Sequence, residues 1–248
     1  MISSERLEAS ALEMYEKVID FSGELALKTH GVAFSPETIT AWKHANLLIY
    51  YVDKALDSGL VPAETVANNL RTIFGPVSCG GDRNMALGDQ ALAHGLALRN
   101  SISDEQSDIF LRKGLQIMKV CDSWRETQDP KEYARKARLI GQMQATMFLQ
   151  IVTPNDRRQA NFRDFTLFFR HAGRLSTGID AIADIKADYD EGLVSVEPSA
   201  KNRLMMARNM APDIFEGVKE IGLSTSLNLL FRAARQIVRD RRRRSSRC

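Results

Sequence analysis

Apolar residues return at intervals of three and four along almost the whole chain, and alternating Val/Ile/Thr-rich runs are nearly absent. The first period buries one stripe of a helix, and the missing second period would have marked half-buried strands. The pattern predicts helices over 4–29, 36–58, 62–74, 84–100, 103–126, 130–151, 155–191, 199–220 and 224–243. An all-α, single-domain fold is the expectation.

Two helix starts carry specific capping chemistry. In Ser35-Pro36-Glu37 a hydroxyl precedes proline at the first helical position, and Ser103-Asp104-Glu105-Gln106 has the spacing of a capping box. The main breaks are the Gly-rich run GPVSCGGD over 75–82 and the segment GLVSVEP over 192–198. The first of these lacks the Lys-Ser/Thr pair of a phosphate-binding loop and follows no strand, so ATP is not an expected ligand. No repeat of fixed period occurs, which disfavours a solenoid.

With 248 residues, 44% apolar and 26% charged, the chain has the length and composition for one sizeable core, placed over 1–230. No run of about 18 apolar residues occurs, and the N-terminus MISSERLEAS lacks a basic start with an apolar stretch, so a cytoplasmic protein is expected. Cys79, Cys121 and Cys248 lack metal-ligand spacing and are read as free thiols. The net charge of +3 hides an asymmetry. Eight arginines against Asp240 between Arg232 and Cys248 make that end +7, so the remainder is about −4. An acidic body argues against a nucleic-acid-binding core. The basic tail, 231–248, is preceded and entered by the stripe Leu227, Leu230, Phe231, Ala234 and Val238, which suits either peripheral contact with an anionic membrane or a docked last helix. With Cys248 in the final position, no prenylation box is expected.

The chemistry concentrates in GIDAIADIKADYDEG, where Asp180, Asp184 and Asp188 stand four residues apart. On a helix they span about 12 Å and drift about 40° per step, forming one acidic stripe. Like charges at this spacing cost roughly 0.2–0.5 kcal/mol per pair, so a cation is needed nearby, and the intervening Lys186 points elsewhere. Mg²⁺ suits the role, since it takes one or two carboxylates and completes its shell with water and phosphate oxygens. A solvated acidic face is the competing reading, because 31 acids in 248 residues give about 0.5 such triplets by chance. The apolar filling, Ile179, Ile182, Ala183 and Ile185, favours a helix with a buried side, where unpaired carboxylates are costly. A second pair, Asp53 and Asp57, closes the apolar helix of WKHANLLIYYVDKALDSG one turn after Tyr50, and Thr177 lies one turn before Asp180.

These segments resemble the squalene and phytoene synthases among the class I isoprenoid synthases. Asp184 and Asp188, with Asp180 four before, Gly192 four after and Pro198 beyond, match that family's second aspartate motif. YARKARLIGQMQATMFLQ, from Tyr133 with Gly141, is similar to the helix upstream of it, and Tyr51 to Asp57 is similar to the first motif. The resemblance covers roughly 36–60 and 130–198. It implies a bundle of about nine or more helices with two aspartate clusters facing across a central apolar cavity. It also implies Mg²⁺ held by Asp53, Asp57, Asp180, Asp184 and Asp188 against a prenyl diphosphate, which ionises to an allylic cation. Three positions depart from the family's pattern. Lys54 replaces an acid, Asp180 an Asn and Ala183 an Arg. A one-substrate terpene synthase and head-to-head condensation of two prenyl chains both stay open, as does a non-catalytic helical interaction protein.

On the enzyme reading, Arg138, Arg135 and Arg71 are the candidates for holding diphosphate, Arg138 first, with an exposed surface arginine as the alternative. Tyr50, Met143, Met147, Phe165 and Thr177, together with Phe168 and Phe169, are the candidates for a dry cation-stabilising wall, although helical spacing equally suits a plain core. His30, His44, His94 and His171 are scattered and show no zinc spacing.

Overall fold

In the computed structural model the described residues are 4–75 and 87–221, all helix and connection, with no strand among them. Nine helices are described: α1 (Ser4–His30), α2 (Pro36–Asp57), α3 (Ala63–Phe74), α4 (Gly88–Ser101), α5 (Asp104–Arg125), α6 (Pro130–Gln150), α7 (Pro154–Arg157), α8 (Phe162–Asp190) and α9 (Ala200–Ile221). The all-α expectation holds. Most predicted boundaries lie within a few residues of these; the helix over 224–243, the tail 231–248, Cys79 and Cys248, and most of the Gly-rich run fall outside the described residues. No described helix is long and apolar enough to cross a membrane.

The capping chemistry forms as its residues dictate. The Ser35 hydroxyl accepts from the Thr38 N–H at the start of α2, where Pro36 has no N–H to leave unpaired. At α5, Gln106 N–H donates to Ser103 Oγ at 3.2 Å and Ser103 N–H to Gln106 Oε1 at 3.0 Å, a complete capping box. One prediction needs correction: 155–191 is not a single helix. Gln159 donates to and accepts from the Ala33 backbone, and Asn161 Nδ2 donates to the His30 carbonyl, so tertiary bonds hold these side chains and a turn interrupts the helix between α7 and α8.

The described residues group into two compact units, drawn from Met1–Gln116 with Thr146–Phe165, and from Ile117–Ala145 with Thr166–Cys248. In the first, α2 packs on α1, α3 and α4. Trp42 is fully buried against Phe34 and Phe148 and donates its indole N–H to the Phe148 carbonyl at 2.8 Å. Asp156 ties the unit together by accepting from Ser35 N–H, Ser35 Oγ and Thr38 Oγ1.

The second unit joins the end of α5, the first part of α6, most of α8, and α9. Its core is Tyr133, Ala134, Ala137, Ala181, Ile185, Val194, Val196 and Met206. Here α6 and α8 meet backbone to backbone. A Cβ on Gly173 would sit 2.5 Å from the Gly141 carbonyl oxygen and 2.9 Å from Ala145 Cβ, and one on Gly141 would sit 2.6 Å from Thr177 Oγ1. Arg138 lies beside Gly178 and Tyr133 clusters with Ala181 and Ile185. Residue numbers thus fall on one helix as they rise on the other, the register of an antiparallel pair.

Candidate functional site

Within the second unit, Tyr133 marks the place where the aspartate stripe meets the core. Its ring is fully buried and stacks on Trp124 at 4.8 Å between centroids. Neither its hydroxyl nor the Trp124 indole N–H, both inaccessible, has a hydrogen-bond partner among the described residues. Native proteins pair nearly all such groups, so packing within the described residues leaves these two donors unsatisfied. Burial, and then the negative charges of Asp188 and Asp184, push the phenol pKa up, so Tyr133 stays protonated and able to donate.

The three aspartates occupy successive turns of α8, as predicted. Asp180 is exposed, while Asp184 and Asp188 are half-buried. Asp184 makes no hydrogen bond or ion pair among the described residues, and Lys186 turns outward to Asp190 at 2.7 Å. Among the described residues no group of three or more His, Cys, Asp or Glu is gathered closely enough to hold a metal ion by itself. The donor set nevertheless fits Mg²⁺, which needs only one or two carboxylate oxygens from the protein when phosphate supplies the rest. A half-buried carboxylate with no cation of its own is the observation behind that fit.

The end of α8 explains the residues beyond the stripe. Gly192 has φ +73°, Leu193 N–H donates to the Asp188 carbonyl at 2.7 Å and Gly192 N–H to the Tyr189 carbonyl at 3.1 Å. This is a Schellman cap, with glycine at the left-handed position. Val194 and Val196 then enter the core, and Ser195 N–H bonds the Arg125 carbonyl.

The candidate diphosphate-binding arginines already have acidic partners. Arg138 pairs with Asp213 of α9, which is only 3% exposed, and donates to the Asn209 carbonyl at 2.7 Å. Arg174 and His171 lie 3.6 and 3.8 Å from the same carboxylate, and Arg174 also grips Gln142 of α6. Arg135 is exposed and bidentate to Glu132. Arg71, in the first unit, pairs with Glu64 at 2.8 Å. Asp213 had escaped notice in the sequence, although Met206, Met210 and Asp213 share one helical face and so signal a buried acid.

The other candidates separate by unit. Asp53 and Asp57 are exposed at the end of α2 in the first unit, and Lys54 stands over the Tyr50 ring at 5.9 Å. Tyr50 is tilted on Tyr15, and Phe165 is fully buried against His30, Phe34 and Phe162, the surroundings of a core aromatic. Met147 is buried in the same unit. Met143 and Thr177 belong to the second unit and are half-buried, Thr177 against Gly141. A surface cavity of about 380 Å³ in that unit is lined by Lys131, Met205, Arg208 and Asn209, none of them expected from the sequence. No family model, curated protein or solved structure matches this chain.

Proposed function

We propose that the chain is a Mg²⁺-dependent class I isoprenoid synthase that ionises a prenyl diphosphate to an allylic cation, in the manner of a terpene synthase. The single observation carrying this reading is the half-buried Asp184, which has no hydrogen bond or counter-cation among the described residues and whose charge acts on the buried Tyr133 hydroxyl, itself unpartnered among those residues. When bound, Mg²⁺ supplies Lewis-acid stabilisation of the departing diphosphate. The chain's own part is positional. Asp184 and Asp188 offer carboxylate oxygens from adjacent turns of one rigid helix, and the Gly141–Gly173 contact fixes that helix against α6. Tyr133, kept protonated, offers an O–H to an oxygen of the bound group, and the surrounding Ala134, Ala137 and Ile185 keep water away. The pairing of Arg138 with Asp213 removes the first-choice arginine from direct diphosphate binding in this reading and makes it a brace between α6 and α9. Asp53 and Asp57 remain proposed ligands by resemblance, and head-to-head condensation remains the alternative reaction.

A second reading has an observation of its own. Arg71, Arg135 and Arg138 are each held by a carboxylate of this same chain, as in a helical protein that binds partners and catalyses nothing. Thermal unfolding separates the two. Mg²⁺ with inorganic diphosphate at about 100 times its dissociation constant stabilises by about 2.7 kcal/mol, which raises the melting temperature by roughly 5–10 °C. Asp184→Asn should abolish that rise. An unchanged melting temperature in the unmutated protein, at any diphosphate concentration that remains soluble with Mg²⁺, would sink the enzyme reading.

A further inference from the structure

His44 and His94 are fifty residues apart in sequence, yet α2 and α4 bring their Nδ1 atoms to 3.1 Å. Both rings are half-buried, their centroids are 5.4 Å apart, and neither has a carboxylate hydrogen-bonded to it among the described residues. The His94 ring is held in place by the Tyr51 ring, stacked at 6.0 Å and 16°. Tyr51 in turn meets Tyr50 edge-on, and Tyr50 meets Tyr15 of α1. The imidazoles are thus pre-positioned by three packed helices of one unit.

We infer that His44 and His94 form a binding site for a divalent first-row transition metal of the zinc or nickel type, both Nδ1 atoms ligating one ion. The distances suit it. With metal–nitrogen bonds of about 2.0–2.1 Å in tetrahedral geometry, two ligating nitrogens stand about 3.3 Å apart, so the nitrogens must separate by only about 0.2 Å. In the metal-free pair one Nδ1–H donates to the other Nδ1. On metal binding that ring moves its proton to Nε2, and both rings remain neutral. Burial lowers the pKa of both, and the charge of His44 lowers that of His94 further, so neutral imidazole, the ligating form, is the resident state near neutral pH. Glu16 of α1 acts on His94 in the opposite sense and supplies a carboxylate charge that offsets the ion. Water fills the remaining positions. Imidazole selects these metals over Mg²⁺, so the site is chemically distinct from the aspartate stripe.

The test is titration of the full chain with Co²⁺ as optical probe, followed by competition with Zn²⁺ and Ni²⁺. One ion per chain is expected, giving d–d bands without thiolate charge transfer, with binding lost in His44→Gln and in His94→Gln but retained in Asp184→Asn. Because either histidine variant could unfold, the unmutated protein is also followed by NMR, where added Zn²⁺ should shift the ring signals of His44 and His94 and leave those of His30 and His171. Absence of binding, binding that survives in both folded variants, thiolate bands, or shifts confined to the other histidines would each overturn the assignment.

Discussion

Replacing Gly141 by alanine tests the closest approach in the second unit. The new Cβ would run into the Gly173 backbone, 2.7 Å from its carbonyl carbon, and would lie 2.6 Å from Thr177 Oγ1, where real Cβ contacts essentially never fall under 3.0 Å. Thr177 can rotate; the backbone of α8 cannot. The Gly173 carbonyl oxygen is closer still, so the helices must part by about an ångström, and overpacking of this kind costs about 1–3 kcal/mol. Against that stands the usual gain of alanine over glycine in a helix interior, about 0.5–1 kcal/mol. With the obstacle being backbone, the upper end of the cost applies, and a net loss of about 2 kcal/mol is expected. At a urea dependence of about 2–3 kcal/mol per molar, the unfolding midpoint falls by just under about 1 M. Gly173→Ala meets the Gly141 carbonyl and should behave alike, and the double variant should cost less than the sum, since both clashes are relieved by one displacement. Gly114→Ala is the control: it meets nothing within 4 Å and should stabilise. A Gly141→Ala protein as stable as the parent would refute the backbone contact, and with it the register that brings Tyr133 to the aspartates.

Two further predictions rest on charge. Asp213→Asn leaves the Arg138 and Arg174 guanidiniums beside a neutral, buried amide and should cost about 3 kcal/mol by denaturant melting. Asp190→Asn, which breaks only the exposed pair with Lys186, should change stability by no more than about 0.5 kcal/mol, and equal effects of the two would contradict the buried network. The second concerns pH. His44 and His94 have folded-state pKa values below 6.5, so the unfolded chain takes up protons that the folded pair resists. Stability is then complete above about pH 6.5 and falls as the pH drops through that value. His44→Gln should flatten the fall measured by urea midpoints, and an unaltered pH slope would remove the pair as its origin.

Much of this fold was legible in the sequence because helix periodicity and capping are local. The Ser103–Gln106 box and the Pro36 start formed as spelled. The break before α8 was not legible, because Gln159 and Asn161 are drawn to backbone groups of residues over a hundred positions away. The aspartate stripe was readable from four-residue spacing alone. Its surroundings were not: Asp213 reaches Arg138 only after α6 and α9 pack, and Tyr133 becomes an orphaned donor only once Trp124 and Ile185 close over it. The Gly192–Pro198 segment shows how motif and fold overlap. Its glycine is required by the α8 cap and its valines by the core, so those residues would be fixed there whatever the chemistry of Asp184 and Asp188. The histidine pair lay beyond sequence reading for the same reason as Asp213, being assembled across two helices.

Asp184 is proposed to serve the ionisation of a prenyl diphosphate. The most direct measurement is the release of diphosphate from prenyl diphosphates of increasing chain length, with Mg²⁺ and with chelator, by the unmutated chain and by Asp184→Asn. Mg²⁺-dependent release above the uncatalysed background is expected for at least one chain length, falling about 100-fold or more in the variant, as when a transition-state contact is removed. Release that is absent for every chain length, or equal in the two proteins, contradicts it.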